Sequence, residues 1–447
     1  MKFFLVASAI VFGSIANSQN QPDAVKFRRS SLTMVLLEND DLGKNKEMVT
    51  KSYYANPFPD KYNNHVLSDK VFNPAKMKLD KFDYLKSGFY KDTLKTMKDF
   101  LLAKKKIFNT IRYVAADSSR AVLEPSKEEL TNIYIDKYIR DKNLAKQMVS
   151  TWFNRKSDGS MDWEYLKEKA LYSAREDEKS DQSKQALTDK LIKDIDIIGN
   201  TFIVFNRLNF FANEPVARIV RDLAKAEAVK NITIPMALEK ANKGIDAVYE
   251  KTKEGYTVIC NTYLYQLDWN EEVAKKTQQY FFSDNVDKLK TWDTTNLYNL
   301  KFVGKTNSSS IVTFKIGEKR TEAQIIDLQV KRTIDNSMAK LQKEYMVFRT
   351  VTPISTINPI TAQIGTKEGV EAGQTFEILK SEEGADGIPH WNSIGKVKVS
   401  KKIPVWDNSN GAEPQLDDKG VIIEVPKCTT FEGGKNANEL MFLRLLK

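Results

Sequence analysis

Cysteine and histidine are scarce. The 447-residue chain has two of each: Cys260 and Cys428, His65 and His390. That count excludes zinc sites built from Cys and His, iron–sulfur clusters and a disulfide-dense scaffold. Phosphate-cradling glycine signatures are also missing, with no Walker-type loop and no G-x-G-x-x-G. Beyond the first twenty residues no apolar run reaches the length of a membrane-spanning helix. What remains is ample: 41% hydrophobic and 10% aromatic residues, enough for packed cores, over a length that suits roughly two or three domains.

The N-terminus has three parts. Lys2 is followed by the apolar run Phe3–Ala16, then by Ala16-Asn17-Ser18, which sets small residues around a cut after Ser18. This is a secretory signal pattern, with an uncleaved anchor as the alternative. A lipoprotein leader needs a cysteine at the cut, and the first cysteine is Cys260, so no lipid anchor is expected there. Cleavage removes one basic residue and no acid, leaving 68 basic against 59 acidic side chains and a net charge of +9. The expected location is periplasmic or secreted, in the cell envelope. Envelope proteins or anionic cell-surface polymers are the expected partners, and nucleic acid is not. Because acids and bases alternate along the chain, a plain solvated surface is the competing reading of the excess charge. In an oxidising compartment Cys260 and Cys428 are able to pair; alternatively Cys260, within YTVICNTYLY, is a buried hydrophobe.

Hydrophobic periodicity orders the rest. Ser31–Leu37 reads as a strand and Tyr53–Asn64, with its prolines and asparagines, as a loop. Leu94, Met97, Leu101 and Ile107 make a helix face backed by lysines over 90–112, either packed on its own domain or lying on a membrane surface. Ser126 and Glu129 form a capping box after Pro125, and one apolar stripe continues from Leu130 to Trp152. The stripe Leu187–Ile198 stops at Gly199, and Thr201–Phe205 follows as an apolar strand of an α/β layer. Helices are expected over 214–229 and 235–253, strands over Tyr256–Trp269, Leu297–Val303 and Ile311–Ile316, and a capped helix from Thr321 with Val330, Ile334, Met338, Leu341 and Tyr345 as its core stripe. After Pro353 the pattern changes to short β runs separated by glycine turns: Ala362–Ile364, Thr375–Leu379, Lys396–Val399, Val421–Val425 and Leu440–Leu443. The expected fold class is α+β, a mixed α/β body with long helices followed by a small C-terminal β-barrel or sandwich. The expected division is 1–18 signal peptide, 19–125 mixed α/β segment, 126–352 helix-rich α/β domain and 353–447 β-barrel domain.

Tests for chemistry return little. A Ser–His–Asp hydrolase would need His65 or His390; neither lies near a nucleophile motif, no G-x-S-x-G exists, and both histidines are expected to be exposed or partly packed. Ser337-x-x-Lys340 and Ser393-x-x-Lys396 match the first penicillin-binding element and Ser283-Asp284-Asn285 the second, but in the wrong order and with no K-T-G. The loop from Asn154 sets Asp158 and Gly159 at EF-hand positions five and six, but Lys156 stands at three and Tyr165 at twelve, so a cation would meet a cation. Asp407–Gly411 brings its glycine one place early and fails likewise. Carboxylate pairs such as Glu164 with Glu168 and Glu271 with Glu272 leave a glycan-active hydrolase as the enzyme alternative, since such enzymes need two acids across a cleft. The many tyrosines and tryptophans fall on core stripes rather than on a glycan-stacking surface. No residue is nominated as catalytic, cofactor-binding or metal-ligating, and no cofactor is expected.

Two stretches carry resemblances. Leu187–Arg207, a helix, glycine stop and apolar strand, resembles a unit of curli-secretion-type and TolB N-terminal-type periplasmic α/β domains. Ile364–Leu379 followed by Ile394–Val399 resembles the small β-barrel of flagellar-assembly-T-like periplasmic proteins. The whole resembles secreted proteins of the Bacteroidota without an assigned activity. These resemblances imply an envelope binding or assembly part, with no catalytic residues to carry over. The export signal, the ample cores and the lack of a working catalytic set lead to the expectation of a non-enzymatic exported protein whose C-terminal β-barrel is a docking module. The missing lipid-attachment cysteine departs from the curli-type pattern.

Overall fold

The structure is a computed structural model. It describes residues 30–65, 67, 70–80, 83, 113–117, 120–123, 127–162, 195–282, 287–312, 321–383, 389–410, 412 and 427–446. The leader, the 90–112 stripe and the strand expected at Val421–Val425 lie outside the described residues, as does a second helical pattern that the sequence shows from Trp163 to about Glu178.

The fold is α+β, with a mixed α/β body followed by a small β-barrel. Strand β1 (Ser30–Leu37) sits inside the body sheet. On one side it pairs in parallel with β6 (Thr201–Ala212), and on the other with the short β2 (Tyr62–Asn64) and β3 (Val71–Phe72). From β6 the sheet continues as an antiparallel meander through β7 (Tyr256–Leu267) and β8 (Leu300–Val312). Both faces of the central strands are covered, which explains their unbroken apolar runs. Leu32, Phe202, Val258 and Leu264 face one layer of helix, made of α1 (Lys46–Ala55) and α9 (Glu322–Glu344). Val35, Ile203, Phe205 and Tyr263 face the opposite layer, made of α2 (Lys127–Asp141) and α3 (Leu144–Trp152). A third cluster closes one end of the sheet. There Trp152, Phe153, Trp269 and Trp292 gather with α4 (Ile195–Gly199), α7 (Glu271–Phe281) and α8 (Lys288–Thr294). A separate hairpin pairs β4 (Tyr113–Asp117) with β5 (Arg120–Leu123).

Helix α9 has the capping box expected at Thr321 and Gln324. Its Val330, Ile334, Met338 and Leu341 are all buried, a stripe that stabilises the body by about 1.5–3 kcal/mol per side chain. Just beyond its end, Tyr345 crosses β8 and donates to the carbonyl of Lys305 at 2.7 Å. Glycine at 304 permits that crossing, because any Cβ there would collide with the Tyr345 ring.

Between β6 and β7 the chain leaves the sheet as a helical hairpin, α5 (Asn213–Asn231) and α6 (Pro235–Thr252). Its two helices touch through Arg221 stacked on Tyr249 at 4.4 Å, Lys225 paired with Asp246 at 2.6 Å and Tyr249 donating to Glu214 at 3.0 Å. In α5 only Asn213 and Ala217, at its root, are buried, and in α6 no residue is.

The C-terminal strands β9 (Val351–Ile357), β10 (Ile360–Ala362), β11 (Thr375–Glu383), β12 (Pro389–Val399), β13 (Thr429–Gly433) and β14 (Phe442–Leu445) close in the order β10-β13-β12-β11-β14-β9. The barrel is irregular: β12–β13 and β14–β9 meet over only three residue pairs each. Phe376, Ile378, Val397, Phe431 and Leu443 fill it.

Several expectations are corrected. The stripe Leu130–Trp152 is two helices, because Asn143 adopts a left-handed φ of 50° and breaks it. The two strands expected over 297–316 are one, β8; its polar middle, Lys305–Ser310, is paired along β7 and partly covered by α9. The loop expected at Tyr53–Asn64 begins inside α1 and contains β2. Strands β9 and β13 were not expected. β1 comes from the segment expected as 19–125, yet it lies beside β6 of the segment expected as 126–352, so both build one sheet. Parallel pairing across so many residues leaves no local trace.

Candidate functional site

A cleft of about 750 Å³ opens in the body between α2, α3 and the segment that leads into β8. From α2 come Asp136, Ile139 and Arg140, and Asn143 follows; positions one turn apart share one helix face. The break at Asn143 turns the chain so that α3 presents Lys146 to the same space. The opposite wall holds Thr295, Asn296, Tyr298 and Asn299, and the sheet contributes Tyr265 and Phe302 as an aromatic floor.

Asp136 is the one carboxylate among the described lining residues. Burial raises it to about 6, against a lowering contribution from the Tyr265 hydroxyl, which donates to it at 2.9 Å, and from the Arg140 charge. Tyr265 is itself pushed well up by burial and by that neighbouring carboxylate. Arg140 also reaches out of the cleft to Asp83 at 2.8 Å, where Lys137 joins at 3.3 Å. Burial alone would raise the Asp83 carboxyl, but these two cations and the Asp80 backbone hold it below its ordinary value. Lys146 donates to the carbonyls of Trp292 at 2.8 Å and Asp293 at 3.3 Å, and burial lowers its pKa. An ammonium has three donors and a guanidinium five, so these contacts leave capacity for a ligand. The cleft thus combines two cations, three asparagine amides and aromatic rings. Such a lining can offer N–H donors to an anionic or hydroxyl-bearing group.

The residues weighed from sequence are mostly occupied elsewhere. His65 is fully buried, a correction to the expected exposure: Nε2 lies 3.0 Å from the Met148 carbonyl and the ring sits 5.5 Å from that of Trp152. His390 is placed on β12 opposite Glu382. Ser337 is on the buried face of α9, donating to the Thr333 carbonyl at 2.9 Å, while Lys340 reaches the Asn307 carbonyl at 2.6 Å, so the serine of the S-x-x-K match is a core position. Ser393 lies in β12 opposite Leu379. Ser283–Asn285, Glu164 and Glu168 fall outside the described residues. Glu271 and Glu272 open α7, and Glu272 pairs with Lys276 at 2.5 Å. Neither cysteine is in a disulfide. Cys260 lies in the body core near Thr262 and Asn206, and burial raises its thiol.

The rejected loop at Asp407 has a different role. Asp407 accepts from Thr366 and Ser409, Asn408 bonds Lys367 and Glu368, and Asn410 donates twice to Asp335 of α9, at 2.6 and 3.0 Å. It clasps the barrel to the body. Arg349 adds a second clasp, donating to the Gln342 and Lys343 carbonyls at the end of α9 and to Leu445 and Leu446 at the end of the barrel. In the Asn154–Asp162 loop, Asp158 accepts from Ser160, while Asp162 takes Asn154 and Lys156. Among the described residues no cluster of His, Cys, Asp and Glu is placed to hold a metal ion, and no helix is long and apolar enough to cross a membrane.

The cleft was missed from sequence. Asp136 sits among apolar neighbours on α2, but nothing in its own segment reveals Tyr265, which arrives from a strand 129 residues later. No protein-family model matches the chain, and no curated protein matches it.

Proposed function

We propose that this chain is an exported, non-enzymatic binding or assembly component of the cell envelope that holds an anionic cell-surface polymer in the Asp136 cleft. The barrel serves as its docking module. The observation that carries the reading is the content of the cleft: Arg140 and Lys146 among three asparagine amides over aromatic rings, with a single carboxylate that burial inclines toward its neutral form. The export signal and the excess of basic residues support the same reading. The hydrolase alternative gains no support from this cleft, since its described lining offers one acid and not an opposed pair.

The test is calorimetric titration of the chain from Gln19 onward with purified acidic envelope polysaccharides, beside neutral ones. Binding to the acidic set that weakens with salt and falls about tenfold in Lys146→Glu is expected. Equal affinity for neutral chains, or no loss in Lys146→Glu, would overturn the assignment to this cleft.

A further inference from the structure

Strand β8 is the outermost strand of the body sheet among the described residues, and at 13 residues it presents a long edge. The opposite side of the sheet ends in β2 and β3, of 3 and 2 residues, and the barrel closes on itself. An outer strand carries a row of backbone N–H and C=O groups that no neighbouring strand uses, a template on which a second chain can add a strand. The direction of these groups on β8 follows from Gln329 of α9. Its amide donates at once to the carbonyls of Tyr256 on β7 and Ser310 on β8, at 2.9 and 2.7 Å, so both carbonyls point into the gap between the two strands. Backbone groups alternate in direction along a strand, and the register from Lys305 to Ser310 is unbroken. The N–H and C=O groups of Lys305, Asn307 and Ser309 therefore point away from β7, toward the outer edge.

All three carbonyls are taken by α9 and the residue that follows it. Asn336 donates to Ser309 at 3.2 Å, Lys340 to Asn307 at 2.6 Å and Tyr345 to Lys305 at 2.7 Å. Spacing explains the match. Four helical residues rise about 6 Å and two strand residues about 6.8 Å, so a helix running against the strand brings one donor to each outward carbonyl. Asn336 and Lys340 are exposed, so the packing of the core does not account for where they reach. Tyr345 arrives only because position 304 is glycine.

We propose that Asn336, Lys340 and Tyr345 form a guard that closes the outer edge of β8 against a strand from a second copy of this chain. A copy is the relevant intruder because every copy presents the same edge, and two such edges pair antiparallel about a twofold axis. A carbonyl that already accepts from a side chain offers less to an incoming N–H. The three side chains also occupy the space that an added strand would need, about 4.8 Å from β8. On the other face of the strand, Lys305 and Asn307 are exposed, and both are residue types that disfavour strand pairing. The guard lies on the α9 side of the sheet and the Asp136 cleft on the α2 and α3 side, so it does not depend on what the cleft binds.

The experiment compares the full chain with the triple variant Asn336→Ala, Lys340→Ala, Tyr345→Phe by sedimentation velocity over a concentration series. The variant is expected to self-associate at a concentration about tenfold below that of the unaltered chain, with the same circular dichroism spectrum. The double variant Asn336→Ala, Lys340→Ala changes exposed positions only and should move the same way by a smaller factor. Two further variants separate an opened edge from lost stability. Gln329→Ala removes a donor of the same helix from the gap inside the sheet, so it should lower the melting temperature without raising association. Ser309→Pro, added to the triple variant, should return association to the level of the unaltered chain. The Ser309 N–H points outward, so proline there obstructs strand addition without breaking a bond to β7. Triple and double variants that associate no more readily than the unaltered chain, equal association in Gln329→Ala, or association that persists with Ser309→Pro would overturn the guard.

Discussion

Replacing Asp136 by asparagine removes a charge while keeping an oxygen that accepts from Tyr265. The carboxyl is raised from 3.8 to about 6, chiefly by burial. An acid with a raised pKa binds its proton more tightly in the fold than in the unfolded chain. Its ionisation therefore costs stability: nothing below about pH 4, an increasing amount as pH rises, and the full cost above about pH 6. The difference corresponds to about 3 kcal/mol, and because Asp136 is partly open to solvent the expected cost at neutral pH is about 1–3 kcal/mol. Asp136→Asn should escape it. For a body of roughly 300 residues that gain raises the melting temperature by about 2–5 °C. Thermal melts of both proteins followed by circular dichroism across about pH 4 to pH 8 should show curves that coincide at the acid end and separate toward neutrality, the variant being the more stable. A constant offset at every pH, or a variant less stable at neutral pH, would refute the argument that burial of this carboxyl dominates its contacts with Tyr265 and Arg140.

Arg349→Ala deprives four carbonyls of a charged donor, two at the end of α9 and two at the end of the barrel. A loss of about 2–4 kcal/mol in urea unfolding is expected, with faster proteolytic release of the barrel; an unchanged midpoint would show that the clasp contributes nothing. Thiol titration should separate the two cysteines. Cys428 is half-buried and should react in the native protein, whereas Cys260 is fully buried and should react only after denaturant is added. Two rapidly reacting equivalents would contradict the core placement of Cys260.

Much of the fold was legible from particular residues. Val330, Ile334, Met338 and Leu341 recur at the helical period, and Thr321 with Gln324 marks the start, so the start of α9 was readable to within a residue, while its end at Glu344 was not marked. The unbroken run Thr201–Phe205 announced a strand covered on both faces, and it is one. The change to short strands near Pro353 marked the barrel, whose first strand starts two residues earlier. Failures had local causes. Asn143 interrupts a stripe that its apolar neighbours continue, and a left-handed residue leaves no mark on periodicity. His65 follows two asparagines, as loop residues do, but Trp152 and the Met148 carbonyl arrive from α3 to enclose it.

Composition and periodicity thus determined which segments fold, which chemistries the chain has too few residues to perform, and the order of an α/β body followed by β strands. These properties depend on neighbours a few positions apart, so they are written along the chain. The tertiary structure decided what each polar residue does. It placed Asp136 under Tyr265, turned the Asp407 loop into a clasp on Asp335 and set three donors along the edge of β8. Burial and pairing between segments a hundred residues apart are set by how the layers stack, and no local pattern encodes that stacking.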